Sequence, residues 1–194
     1  MTSPEAGVPQ VPLPAVAHAR LALLGDGGAR MQALDDALTA TGRSYERHMI
    51  REVSSDGRRL EADVVVVSCQ LGELLAVAPR LTAALGDAVL VCSIAAESDD
   101  PTGASQQDRG SAVERLAEAL PRSRVVGALQ QFTTEHFQLM SLRLLKTDVP
   151  VTGDDREAAD LVQALLCEIS GVDAVYAGPL RNAGAVEHLG AVLR

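Results

Sequence analysis

Ala62-Asp63-Val64-Val65-Val66-Val67 ends in four consecutive valines that leave no polar side for water. A half-exposed strand alternates apolar and polar residues, so an unbroken β-branched run marks a strand covered on both faces. Helices above and below a parallel sheet provide that cover. The run therefore predicts a central strand in an α/β domain.

The flanking chain agrees. From Arg20 onward, short aliphatic runs alternate with helix-length amphipathic stretches, the order of βαβ units. Leu21 to Leu24 read as a strand, Gly25-Asp26-Gly27-Gly28 as a tight turn, and Ala29 to Thr41 as a helix ended by Gly42. Ser44 to Ile50 give a polar, alternating strand suited to a sheet edge. Residues 51 to 62 are too few and too polar for a full crossover helix plus strand, so this crossover is expected to shorten to a loop or hairpin, with Asp56-Gly57 as its turn. Leu71 to Leu85 predict a helix broken or kinked at Pro79, and Ala88 to Ile94 the next strand. Residues 95 to 110 read as a loop near the carboxyl edge of the sheet. Ser111 to Leu120, Glu157 to Ile169 and Ala183 to Leu193 read as helices; Arg124 to Leu129, Val149 to Thr152 and Asp173 to Tyr176 read as strands. The expected fold class is α/β, a Rossmann-like, mostly parallel sheet with helices on both faces and an abbreviated second crossover.

Length and composition narrow the function. The chain of 194 residues suits one domain over residues 20 to 194, preceded by a flexible arm, residues 1 to 19, that carries Pro4, Pro9, Pro12 and Pro14. A net charge of −9 argues against nucleic acid, and no apolar run approaches the roughly 20 residues of a membrane span. Cys69, Cys92 and Cys167 lie far apart in apolar stretches, which predicts buried reduced thiols in a cytoplasmic protein. The histidines show no metal-ligand spacing, so no metal is expected. A small molecule is the expected partner.

Glycines between a first strand and a helix let a pyrophosphate approach backbone N–H groups, which makes Gly25, Gly27 and Gly28 candidate cofactor contacts. A turn that only joins strand to helix is the alternative. Asp26 places a negative charge near the phosphate position, and Arg30 and Met31 stand where a third glycine is expected. After the second strand, Arg47, His48 and Arg51 favour the 2′-phosphate of NADP over NAD, although Glu46 and Glu52 oppose it; a solvated charged edge strand is the alternative.

Four segments from residue 110 onward follow one another in order: Gly110-Ser111-Ala112-Val113-Glu114; Arg124-Val125-Val126-Gly127-Ala128-Leu129; Val149-Pro150-Val151-Thr152-Gly153-Asp154-Asp155; and Ala177-Gly178-Pro179-Leu180-Arg181-Asn182-Ala183. In sequence and spacing this half resembles the F420-dependent NADP oxidoreductases. The resemblance implies hydride transfer between NADP and the deazaflavin coenzyme F420, held face to face over the carboxyl ends of the strands in a homodimer. It adds Ser68 and Cys69 to the nucleotide contacts, and it implies that Gln130, Phe132, Gly178, Pro179, Leu180 and Asn182 face the second substrate. Asn182 is also expected to cap the last helix. Departures from the family's pattern fall at Asp26, Met31, Met49-Ile50, Cys69-Gln70 and Gln130. They keep open a second reading, a member that retained the fold but lost nucleotide binding and serves as a non-redox enzyme or binding protein.

Overall fold

A computed structural model describes residues 13–94 and 110–192 of the chain. Seven strands form one sheet: β1 (Leu21–Gly25), β2 (Tyr45–Met49), β3 (Val64–Ser68), β4 (Val89–Cys92), β5 (Arg124–Gly127), β6 (Thr147–Gly153) and β7 (Val172–Gly178). Their spatial order is β2-β1-β3-β4-β5-β6-β7. The valine run lies inside the sheet as β3, between β1 and β4, with all five of its residues buried.

Eight helices are described: α1 (Leu13–His18), α2 (Ala29–Thr39), α3 (Ile50–Asp56), α4 (Leu71–Leu85), α5 (Ala112–Ala119), α6 (Thr134–Ser141), α7 (Arg156–Leu166) and α8 (Ala183–Val192). Side chains alternate across the buried strands, as the pleat requires. Leu23, Val64, Val66 and Val91 face a cluster built with Met31 and Leu34 of α2, Phe137 of α6 and Val162 of α7. Leu24, Val65, Val67 and Leu90 face the opposite cluster, with Val53 of α3, Leu74 of α4 and Val113 of α5. The domain is thus a three-layer α/β fold of Rossmann type.

Three expectations change. The second crossover is a seven-residue helix, α3, rather than a loop or hairpin, because Ile50 and Val53 bury one face and Gly57, left-handed at φ 61°, stops it. Pro79 lies inside α4 without breaking it. The helix α6 was not read from sequence at all; Thr133 and His136 close its first turn as a reciprocal capping pair, in which the histidine replaces the usual Glu or Gln.

The arm also needs correction. Residues 1–12 and the expected loop at 95–109 lie outside the described residues, but Leu13–His18 is helical, and Val16 and Ala19 are buried. Their carbonyls accept hydrogen bonds from Arg43, whose guanidinium also pairs with Glu168. A chain beginning at Ala19 removes the Val16 partner and is expected to lose about 1–3 kcal/mol in urea unfolding relative to one beginning at Pro12. Equal midpoints would return the whole segment to a dispensable arm.

β1 to β5 run parallel, but β6 pairs with β5 antiparallel, and β7 follows β6 in parallel. The last two strands therefore point the opposite way. At the other end, β1 leads through α2 to β2 on one side, and β2 leads through α3 back past β1 to β3 on the other, so the strand order reverses beside Gly25. Open α/β sheets bind their ligands at such a reversal.

Candidate active site

Gly25 is level with Met49 of β2 and Ser68 of β3, so three strand ends meet beside the glycine turn. A Cβ on Gly25 would stand 2.2 Å from the Ser68 carbonyl oxygen and 2.7 Å from Met31 Sδ. Only glycine fits there. Gly27 adopts φ +82°, which favours glycine as well. The turn thus has the shape that brings backbone N–H groups to a phosphate.

Its donors are already engaged. Gly28 N–H donates to Asp26 Oδ1 at 2.7 Å, and Gly27 N–H to Met31 Sδ at 3.2 Å. Met31 is fully buried against the turn, and the Asp26 carboxylate stands where a pyrophosphate would bring like charge.

Arg30, which sequence reading treated only as a missing glycine, crosses the carboxyl ends of the strands. Its Nη2 donates to the carbonyls of Ser93 at 2.5 Å and Leu129 at 3.2 Å, and its Nη1 donates to the Phe132 carbonyl. The guanidinium carbon lies 4.9 Å from the Phe137 ring centroid. Leu129 presents its carbonyl from a left-handed backbone, φ 64°, uncommon outside glycine. The signal for Arg30 was its place in the fingerprint, G-x-G-x-x-R.

The other expected nucleotide contacts divide. Arg47, partly exposed, pairs with Asp35 of α2 at 3.1 Å. Arg51, at the start of α3, keeps 84% of its side chain exposed and makes one loose contact, 3.4 Å to Glu73. Ser68 is buried, and its hydroxyl has no hydrogen-bond partner among the described residues. Cys69 is buried beside it, and burial, aided by Asp26 and Glu73, pushes its thiol well above the usual range; no thiolate is available there. Burial also lifts the Cys92 thiol to about 12. Cys167 is exposed, contrary to the expected burial of all three.

Gln130 is buried in the turn after β5, where its Nε2 donates to Glu187 Oε1 at 3.3 Å and its side-chain oxygen finds no partner among the described residues. Glu187, 4% exposed, also accepts from the Ala112 N–H that begins α5, at 3.0 Å. Sequence reading missed it, although it is the single acid in the apolar stretch Ala183-Gly184-Ala185-Val186-Glu187. It lines a cleft of about 260 Å³ with Ser111, Glu114 and His188.

Burial raises the Glu187 carboxyl above the ordinary glutamate value, against opposing hydrogen bonds from Ala112, Val113 and Gln130. The folded protein then holds this proton more tightly than the unfolded chain, so the associated stability is present below the unfolded pKa, about 4.3, and declines as pH rises through the folded value. Glu187→Gln is expected to flatten that decline in urea unfolding followed from pH 4 to 7. An unchanged pH slope would show that Glu187 titrates normally.

Phe132 contributes its carbonyl to Arg30, while its ring stacks on His136 at 5.5 Å. Gly178-Pro179-Leu180 and Asn182 follow a strand that runs against β1 to β5, but the pairings set Gly178 level with Thr152, and Thr152 level with Gly127, the last residue of β5. Leu180 is buried and donates its N–H to Asp154 Oδ1 at 3.0 Å. Asn182 caps no helix; its Nδ2 donates back to the Ala177 carbonyl at 2.7 Å, because a short 3-10 turn, Leu180–Asn182, intervenes. What this junction does deliver is α8, whose Glu187 meets Gln130.

No family model matches the chain. The domain is similar to a hypothetical protein from Sinorhizobium meliloti, 18% identical, TM-score 0.66, covering 87% of this chain and 89% of that one. It is similar also to a candidate F420-dependent NADP reductase from Arthrobacter sp. FB24, again 18% identical, TM-score 0.65, covering 90% and 91%. The likeness is one of fold. A pyrroline carboxylate reductase from Plasmodium falciparum with NADP bound shares it at 9% identity and TM-score 0.58, over 91% of this chain and 65% of that one. Among the described residues, no helix is long and apolar enough to cross a membrane, and no group of three or more His, Cys, Asp or Glu could hold a metal.

Proposed function

We propose that the chain is an NADP-dependent oxidoreductase that moves a hydride between the nicotinamide and a deazaflavin of the F420 type or another small-molecule acceptor. The observation that carries this reading is the glycine turn at the strand reversal, where Gly25 admits no side chain and Gly27 is left-handed. The four ordered segments and the likeness to a candidate F420-dependent NADP reductase support it. Gly25, Gly27 and Gly28 would receive the pyrophosphate, Arg51 the 2′-phosphate, and the orphan hydroxyl of Ser68 a polar group of the nucleotide. Bound NADPH supplies the hydride; the chain holds two rings in register and excludes water, which needs no nucleophile of its own. Gln130, with the buried Glu187 beside it, would face the acceptor. The resemblance adds a homodimer in the cytoplasm, which sedimentation and fractionation test.

Asp26 and Met31 favour a second reading. The turn fits a pyrophosphate in shape and opposes it in charge and in engaged donors, as in a domain that kept the fold and lost the nucleotide. Thermal unfolding with NADPH, NADH and F420 decides between them. A ligand at 100 times its dissociation constant should add about 2.7 kcal/mol. Stabilisation by NADPH supports the oxidoreductase; no response to any nucleotide supports the second reading.

A further inference from the structure

The glycine turn divides the crevice. A dinucleotide lies across a strand reversal with its pyrophosphate on the turn and the 2′-bearing ribose towards the end of β2, so its nicotinamide half extends over the ends of β3 to β5. That second half is where Arg30 lies. Its guanidinium bonds to carbonyls of residues following β4 and β5, those of Ser93, Leu129 and Phe132, and sits on the Phe137 ring. The half beside β2 has no such obstruction in the Arg51 side chain, which is largely exposed at its mouth.

We propose that Arg30 is a gate on the nicotinamide end of the crevice, which a dinucleotide enters only when the guanidinium leaves the carbonyls of Ser93, Leu129 and Phe132. This rests on the nucleotide-binding reading above and deepens it. Three carbonyls that hold one planar cation also form an acceptor surface for the amide N–H groups of a nicotinamide carboxamide, so the same atoms serve the closed and the loaded states. Binding of the whole dinucleotide carries the penalty of opening, whereas the adenosine half bearing the 2′-phosphate does not touch Arg30. A crevice open for a fraction f of the time lowers apparent affinity by that fraction.

The test compares NADPH with 2′-phospho-ADP, the adenosine half that ends at the pyrophosphate, by isothermal titration on the full chain. The wild type is expected to bind the half-ligand at least as tightly as NADPH. Arg30→Ala is expected to tighten NADPH by about ten- to a hundredfold, as a gate open 1–10% of the time requires, and to leave the half-ligand within about twofold. Arg30→Met, which keeps the side-chain length without the charge, should tighten NADPH in the same direction and guards against a misfolded alanine variant. Equal changes for both ligands, or weaker NADPH binding in both variants, would overturn the gate and make Arg30 a general support or a phosphate ligand. Half-ligand binding with NADPH unimproved in either variant overturns the gate and leaves the nucleotide crevice standing. No binding of either ligand by any of the three proteins overturns both.

Discussion

Gly25→Ala is expected to lose about 3 kcal/mol or more of stability in urea unfolding, among the largest effects of any single methyl group in this chain. The added carbon would stand 2.2 Å from the Ser68 carbonyl oxygen, a backbone atom in a strand paired on both sides, and 2.7 Å from Met31 Sδ, itself fully buried. Neither neighbour can retreat without opening the end of β1 or of β3. Gly72, in the first turn of α4, is the control, because a Cβ there meets nothing within 4 Å. Gly72→Ala should be neutral or stabilising by about 0.5–1 kcal/mol. If both variants unfold at the wild-type midpoint, the strand ends do not approach as closely as described.

The second large effect is on affinity. Asp26→Asn keeps an oxygen to accept the Gly28 N–H and removes only the charge. Two unit charges about 4 Å apart near a protein surface repel by about 4 kcal/mol before salt screening. Asp26 is partly exposed, so a fraction of that survives, and NADPH binding is expected to tighten about ten- to a hundredfold, most at low ionic strength. An unchanged dissociation constant across a salt series would place the phosphates away from this turn. This variant and Arg30→Ala act on opposite halves of the ligand: Asp26→Asn should improve 2′-phospho-ADP as well, and Arg30→Ala should not.

How far the sequence led depends on whether the signal was local. Val64 to Val67 announced an interior strand because burial on both faces excludes polar residues, and the glycine turn announced itself because backbone geometry excludes side chains. α6 escaped because its signal is weak: only Phe137 and Met140 are buried in it, and its cap uses His136 in place of an acid or amide. The reversal of β6 escaped because hydrophobic pattern carries no strand direction. Arg30 was visible only as a defect in a motif. The three carbonyls it binds come from residues 63 to 102 positions away, which no window of sequence connects. Glu187 and Gln130, 57 positions apart, were likewise brought together by the fold.

The last strand of the sheet has a further consequence. In β7, both main-chain polar groups of Ala174 are taken by side chains of α7 and the turn after it: Gln163 Nε2 donates to its carbonyl at 3.1 Å, and its N–H donates to Cys167 Sγ at 3.5 Å. An open edge ordinarily invites another strand, from a second copy or from an aggregating neighbour. Here the invitation is withdrawn at its midpoint, since an incoming strand must first displace an amide and a thiol. Growth of the sheet by strand addition, the route to fibres and swapped assemblies, is therefore disfavoured at this border.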